Sequence, residues 1–255
     1  MTSTTVILNN GLELPLVGFG TWQLRGQQAY EATRHALEIG YRHLDTATMY
    51  RNEAEVGQAL RDSGVPRDEV FVTTKIPAER AGREEETLDA SLRALGLDRV
   101  DLWLIHWPPG RGYSVPMWRA LIAARDAGRT RSIGVSNYST AQLDELISAT
   151  GETPVANQIP WSPSGHSPKR LAEHRDRGVV LEGYSPLKGS NLRDRVLRDI
   201  AERHGVTVPQ VVLRWHLEHQ IPVIPKSARK ERIEANFDLF GFTLDADEVA
   251  RIDAM

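Results

Sequence analysis

Tyr41-Arg42-His43-Leu44-Asp45-Thr46-Ala47-Thr48-Met49-Tyr50-Arg51-Asn52-Glu53 leads a short strand-like run into a carboxylate, places a phenol five residues later, and then opens an amphipathic segment. Gly40 closes the helix before it, and Tyr41 to Leu44 reads as a strand. Asp45 is then the first residue past the strand's carboxyl end. Asn52-Glu53 starts a run with Val56, Ala59 and Leu60 on one face and Gly64 as its stop. Tyr50 therefore falls on a strand-to-helix loop, where a rigid scaffold can aim a side chain into a cleft. An Asp and a Tyr so placed are an ordinary loop pair when they stand alone; what surrounds them decides their meaning.

Outward from this stretch the pattern repeats. Thr4 to Leu8 and Leu12 to Leu14, joined by Asn9-Asn10-Gly11, read as a hairpin that plugs or caps something. Strands are expected at 16–20, 41–44, 70–75, 101–105, 131–135, 154–157, 178–183 and 222–225. Helices are expected near 27–39, 52–63, 84–95, 115–127, 140–150 and 167–177, then at 192–204, 207–218, 229–236 and from Ala246 onward. Strands that alternate with helices at this spacing form a parallel sheet. Eight units without a composition shift predict a closed (β/α)₈ TIM barrel in one domain, 1–255, with an N-terminal β-hairpin and extra C-terminal helices. An open dinucleotide-binding sheet would want Gly-x-Gly-x-x-Gly after its first strand, whereas this chain has Gly18-Phe19-Gly20-Thr21-Trp22.

In such a barrel, function collects at the carboxyl ends of the strands. Those ends deliver Trp22, Asp45, Lys75, His106, Asn137, Gln158, Tyr184 and Lys226. One polar residue there is ordinarily structural; seven in one ring are not. A phenol is a poor acid at neutral pH, and an ammonium beside it favours the phenolate and eases proton donation. Lys75 can supply that charge to Tyr50, Asp45 can keep Lys75 protonated, and His106 can orient a substrate oxygen. The set offers a proton donor without a nucleophile, a metal cage or a second catalytic carboxylate, which suits addition to a carbonyl. A hydride would then have to come from a nicotinamide. Ser136, Asn137 and Gln158 could bond its carboxamide, and Tyr184 could stack on its ring. Lys226-Ser227, opening a helix with Arg229 and Arg232, is a ready phosphate site.

Composition agrees. The chain has 255 residues, 31 basic and 34 acidic, and a net charge of −3, so no basic stripe invites nucleic acid. With no cysteine, disulfides, zinc thiolate sites and thiol nucleophiles are excluded. The segment Met1 to Asn10 lacks a basic, then apolar, leader pattern, and no run of about 18 apolar residues occurs. The expectation is a cytoplasmic, monomeric protein with no membrane partner.

Asp45-Thr46-Ala47 with Tyr50 and Asn52-Glu53, Thr73-Thr74-Lys75, Leu104-Ile105-His106-Trp107-Pro108, Gly134-Val135-Ser136-Asn137, Asn157-Gln158, Tyr184-Ser185-Pro186-Leu187 and Ile224-Pro225-Lys226-Ser227 together resemble the aldo-keto reductase superfamily along essentially the whole chain. The chain looks most like the short bacterial branch that includes 2,5-diketo-D-gluconate reductases. The resemblance implies reduction of aldehydes and ketones with NADPH, broad in substrate and reaching keto sugars or diketones, with Asp45, Tyr50, Lys75 and His106 as catalytic tetrad. It also implies cofactor contacts from Gly20, Thr21, Trp22, Asp45, Ser136, Asn137, Gln158, Tyr184, Ser185, Pro186, Leu187, Lys226, Ser227, Arg232 and Asn236. Trp22, Tyr50, His106 and Trp107 would meet the small-molecule carbonyl substrate, and no metal is implied.

Two departures stand out. Ile159-Pro160-Trp161 follows Asn157-Gln158 where many members carry Glu, and Glu234-Ala235-Asn236 replaces a Glu-Asn pair near the adenine. The loops 108–115 and 188–192 are short, which predicts a wide, open site walled by Trp22, Trp107 and Trp161. The alternatives are a cofactor-binding sensor or regulatory subunit with little turnover, and a phosphosugar isomerase or aldolase using Lys75 as base or Schiff-base former.

Overall fold

The computed structural model describes residues 4–110 and 112–255. The readings of the N-terminal decapeptide and of the 108–115 loop rest in part on Met1 to Ser3 and Arg111, which lie outside the described residues. β1 (Thr5–Ile7) and β2 (Glu13–Pro15) pair antiparallel to form the expected hairpin. Leu8 and Leu14 are buried against Phe71, Leu102, Leu104 and Ala156. The Asn9 amide donates to the carbonyls of Pro154 and Gly178, and that of Asn10 to the carbonyl of Arg131. These acceptors lie at the starts of three strands, so the hairpin stoppers the amino-terminal mouth of the barrel.

Seven parallel strands follow in chain order: β3 (Phe19–Gly20), β4 (His43–Asp45), β5 (Phe71–Ile76), β6 (Val100–Ile105), β7 (Thr130–Ser136), β8 (Ala156–Pro160) and β9 (Val180–Tyr184). Between them run α1 (Gly26–Glu38), α2 (Glu53–Asp62), α3 (Glu84–Leu95), α4 (Ser114–Asp126), α5 (Thr140–Thr150) and α6 (Pro168–Asp176). After β9 come α7 (Arg195–His204), α8 (Val208–Glu218), α9 (Lys230–Phe237) and α10 (Ala246–Asp253). Gly40 has φ 112° and lets the amide of Tyr41 turn back to the carbonyl of Ala36, which ends α1 and starts β4.

The expected eighth strand shrinks to one bridged residue: Val223 pairs in parallel with both Val17 and Gly183. The cause is chemical. Pro222 and Pro225 have no N–H, so this segment cannot donate a full ladder. Val223 and Ile224 donate to Leu16 and Gly183, while the carbonyls of Pro222, Val223 and Pro225 accept from Gly183, Gly18 and Gly20. The barrel therefore closes through two amides of this segment and three bonds donated by glycines. At Gly20 a side chain would not fit, because an added Cβ would lie 2.8 Å from the carbonyl oxygen of Ile224.

Side chains alternate across the strands with period two. Phe71, Leu102, Leu104 and Ala156 face the hairpin inside the barrel. Val72, Trp103, Ile105, Ile133 and Val135 face outward into the main core beneath the helices. Ile159, Trp161 and Leu181 join a second core that includes residues of α6, α7, α8 and α10. Trp161 is 1% exposed, so it does not wall the site as the sequence reading had it. Among the described residues no helix is long and apolar enough to cross a membrane.

Candidate active site

A cavity of about 570 Å³ opens among the strand ends, lined by Gly20, Trp22, Asp45, Tyr50, His106, Trp107, Ser136, Asn137, Gln158, Tyr184, Ser185, Pro186, Leu187 and Lys226. Trp22 and Trp107 stand at its rim, 46% and 49% exposed. The sequence reading missed Gln23, Met49, Lys188, Ile224 and Pro225, which also line it. Lys188 reaches across, its Nζ 5.9 Å from the centre of the Trp22 ring.

The floor is built around Lys75, fully buried at the inward parity of β5. Its ammonium has three N–H donors and uses them on Asp45 (2.7 Å to each carboxylate oxygen), the carbonyl of Thr46 (2.9 Å) and Tyr50 Oη (3.4 Å). Burial works against the charge on Lys75, the contact with Asp45 foremost opposes it, and the pKa of Lys75 is raised. Tyr50 sits on a turn at Thr48–Tyr50, its ring edge-on to His106 with centroids 5.6 Å apart. Its pKa is also raised, because burial exceeds the opposing pull of Lys75. The phenol is thus fully protonated at rest, and Lys75 moderates rather than reverses the penalty on its anion. Burial, then Lys75, lowers His106 to about 3, leaving a neutral ring with one N–H to offer.

The Asn52-Glu53 pair turns out to be scaffold. The Asn52 amide donates to the carbonyls of Thr21 and Leu24 and accepts from Thr46, and Glu53 accepts from Thr74. Together they hold the Tyr50 turn against β3 and β5.

On the opposite wall the expected carboxamide-binding residues already hold one another. Ser136 Oγ donates to the Gln158 carbonyl, Asn137 Nδ2 donates to the His106 carbonyl and Ser136 Oγ, and Tyr184 Oη donates to Asn137 Oδ1. Both N–H groups of Gln158 are also spoken for, by Asp45 at 2.8 Å and Glu182 at 3.1 Å. What this wall has left to offer is acceptor oxygens. Gln23, Asn137 and Ser185, non-glycine residues at positive φ (54–66°), line this cavity; such strain is typical of functional sites.

Other expected contacts lie beyond the lining. Thr21 is buried and donates its hydroxyl to the Asp45 carbonyl. Ser227 caps the turn into α9 by accepting from the amide of Arg229. Arg232 is exposed and Asn236 buried on that helix. Glu182 and His43, fully buried beneath Asp45, were not singled out from sequence. The signal was available: Tyr184 points inward, so strand parity puts Glu182 inward too.

A parallel barrel whose strand ends gather a phenol, an ammonium, a carboxylate and an imidazole at one cavity defines a class. Residues 16–255 match the profile of the Aldo/keto reductase family, and the chain belongs to that family. Membership makes it an oxidoreductase acting on carbonyl groups. Among its relatives, 2,5-diketo-D-gluconic acid reductase B of a Corynebacterium species is 44% identical, covering 98% of this chain and 92% of that protein. Methylglyoxal reductase DkgA of Escherichia coli is 41% identical, covering 99% and 94%. A crystal structure of an aldo/keto reductase from Brucella melitensis superposes with a TM-score of 0.95 at 43% identity, covering 98% of both chains.

Proposed function

We propose that this chain reduces aldehydes and ketones to alcohols with NADPH, accepting a broad range of small carbonyls that includes keto sugars or diketones. The observation that carries this reading is the three-way grip of Lys75 Nζ on Asp45, Thr46 and Tyr50 at the floor of a cavity shared with His106 and Tyr184. The names of two relatives, a diketogluconate reductase and a methylglyoxal reductase, support small polar carbonyls as substrates.

The residues present suit a nicotinamide nucleotide. Acceptor oxygens of Ser136, Asn137 and Gln158 fit a carboxamide N–H₂, and the half-buried Tyr184 ring offers a flat face. Gly20, Trp22 and Ser185 to Leu187 line the way to Lys226, and Thr21 backs that wall. Lys226, Ser227 and Arg232, at the start of α9, would hold the 2′-phosphate, with Asn236 nearer the adenine. When bound, NADPH would supply the hydride that goes to the carbonyl carbon. Tyr50 then gives its proton to the carbonyl oxygen as charge develops there, Lys75 stabilises the phenolate left behind, and Asp45 keeps Lys75 charged. Neutral His106 donates to the same oxygen and sets its direction toward Tyr50. Trp22 and Trp107 form the apolar sides for the rest of the substrate.

Loss of NADPH absorbance against a panel of aldehydes, ketoses, α-keto esters and diketones tests this. Turnover with at least one class is expected. Tight NADPH binding with no consumption on any of them would leave a sensor in place of an enzyme.

A further inference from the structure

Beneath the Asp45–Lys75 pair lies a second carboxyl to which the reaction assigns nothing. Glu182 is paired in register with Gln158 across β8 and β9 and has no solvent exposure. Its Oε2 accepts one N–H of the Gln158 amide at 3.1 Å, while the other N–H goes to Asp45 at 2.8 Å. Its Oε1 has no hydrogen-bond partner among the described residues and lies 3.8 Å from Nε2 of His43. His43, equally buried, has Nε2 3.2 Å from the Thr73 hydroxyl, and its ring also meets the Pro15 backbone.

We propose that Glu182 is a positioning residue for carbonyl reduction: a buried carboxylic acid that fixes the Gln158 amide with its nitrogen toward Asp45 and its oxygen toward the cavity, and that adds no further negative charge to the Asp45–Lys75 pair. This rests on the reading of the cavity as a reductase site.

An ionised carboxylate with one empty oxygen and no solvent is expensive. A neutral acid fits the same geometry. Its carbonyl oxygen is Oε2, which accepts from Gln158, and its O–H is at Oε1, a small rotation from the His43 ring. The groups facing it from every side are Asp45 and His43 on β4, Lys75 on β5, Gln158 on β8 and Tyr50 above. Burial and then Asp45 push Glu182 up to about 8, and burial holds His43 down at about 4, so both are neutral between those values. The Lys75 ammonium is then hydrogen-bonded to one anion, Asp45. Were Glu182 ionised, a second negative charge would oppose the phenolate that Tyr50 must become. Were it absent, the second N–H of Gln158 would be buried unpaired or would swing to the cavity, replacing an acceptor by a donor where the cofactor's amide docks.

Full-length Glu182→Gln and Glu182→Ala test this. In infrared difference spectra of wild type minus E182Q, without cofactor, a protonated-carboxyl C=O band is expected at pH 7 that disappears as the pH passes about 8. NADPH affinity, followed by fluorescence quenching, should fall about tenfold in E182A, the scale of one hydrogen bond, and recover in E182Q. The alkaline limb of wild-type kcat/KM should move upward in E182Q, whose amide cannot ionise. Absence of the infrared band at pH 7, or an E182Q that loses as much affinity as E182A while folded by circular dichroism, overturns the proposal. If E182A does not fold, the band and the pH profile of E182Q decide it. A wild type that binds NADPH yet reduces no carbonyl would sink the reductase reading instead, and the band and the binding comparison would still judge Glu182.

Discussion

Replacing Tyr50 by Phe removes one oxygen from the cavity floor and leaves the rest in place. That oxygen makes a single long contact, 3.4 Å to Lys75 Nζ. Lys75 keeps its two shorter bonds to Asp45 and its bond to the Thr46 carbonyl. The ring keeps its edge-on packing with His106 and its place 5.0 Å from the ammonium. Stability should therefore change by less than about 1 kcal/mol. The barrier should change by much more. A lost general acid slows turnover by about 10²–10⁴-fold, or about 2.7–5.4 kcal/mol at roughly 1.36 kcal/mol per decade. The assay is NADPH consumption at saturating cofactor and carbonyl, with cofactor affinity and thermal midpoint measured on the same preparation. The expected result is a collapse of kcat with affinity within about twofold, since no cofactor contact is assigned to that hydroxyl. Turnover within tenfold of wild type, or a loss of turnover matched by an equal loss of cofactor affinity, would refute Tyr50 as the proton donor.

Lys75→Met should behave differently: it leaves the Asp45 carboxylate, 1% exposed, with only the Gln158 N–H. Denaturant unfolding should show a loss of about 3–5 kcal/mol along with the activity, and wild-type stability would mean the pair is not buried as described. Arg232→Ala should weaken NADPH and leave NADH nearly unchanged in paired binding titrations, and equal losses would place the 2′-phosphate elsewhere. Burial holds His43, His106 and His216 at about 4, 3 and 4, below the ~6.5 of an unfolded chain. The unfolded chain takes up those protons first, so their contribution is complete above about 6.5 and lost as pH falls toward 4. Glu182, raised to about 8, works with the opposite sign: its contribution is complete below the unfolded value and lost as pH rises through about 8. Urea midpoints across pH should thus peak near pH 6.5 and fall more steeply on the acid side; a midpoint still rising at pH 8 would contradict these burial effects.

The strand ends were legible because a parallel barrel makes them equivalent. Once Asp45, Lys75, His106 and Gln158 each ended a strand, the fold alone could bring them to one rim, without any knowledge of the loops. Parity within a strand is legible too. Ala156, Gln158 and Pro160 share one face of β8, so Ile159 and Trp161 must share the other. That face meets the helices, and both residues lie in the second core. The same rule turns Glu182 inward beside Tyr184. The shortness of the eighth strand was written in Pro222 and Pro225, since a segment without those two donors cannot run a ladder. Backbone strain is another matter. Gln23, Asn137 and Ser185 adopt positive φ where they line the cavity, and no residue type announces that.

Electrostatics was the least legible layer, because it depends on what lies underneath. From sequence, Lys75 was expected to ease proton release from Tyr50. In the folded site burial is the largest single effect on both groups; it raises Tyr50, while at Lys75 the neighbouring charges, Asp45 foremost, together exceed it. The consequence favours catalysis. A phenol with a raised pKa stays charged with its proton at neutral pH and does not lose it to water. It releases that proton only when a stronger base forms within reach, and an oxygen gaining negative charge as its carbon is reduced is such a base. Lys75 then has to stabilise a phenolate that exists only late in the reaction, and it does so best while Asp45 is the one carboxylate in contact with its ammonium. A second carboxylate at that depth would already have claimed part of its field. The neutrality of Glu182 and the competence of Tyr50 are therefore one electrostatic condition, met by burying an acid where its ionisation would cost more than its proton.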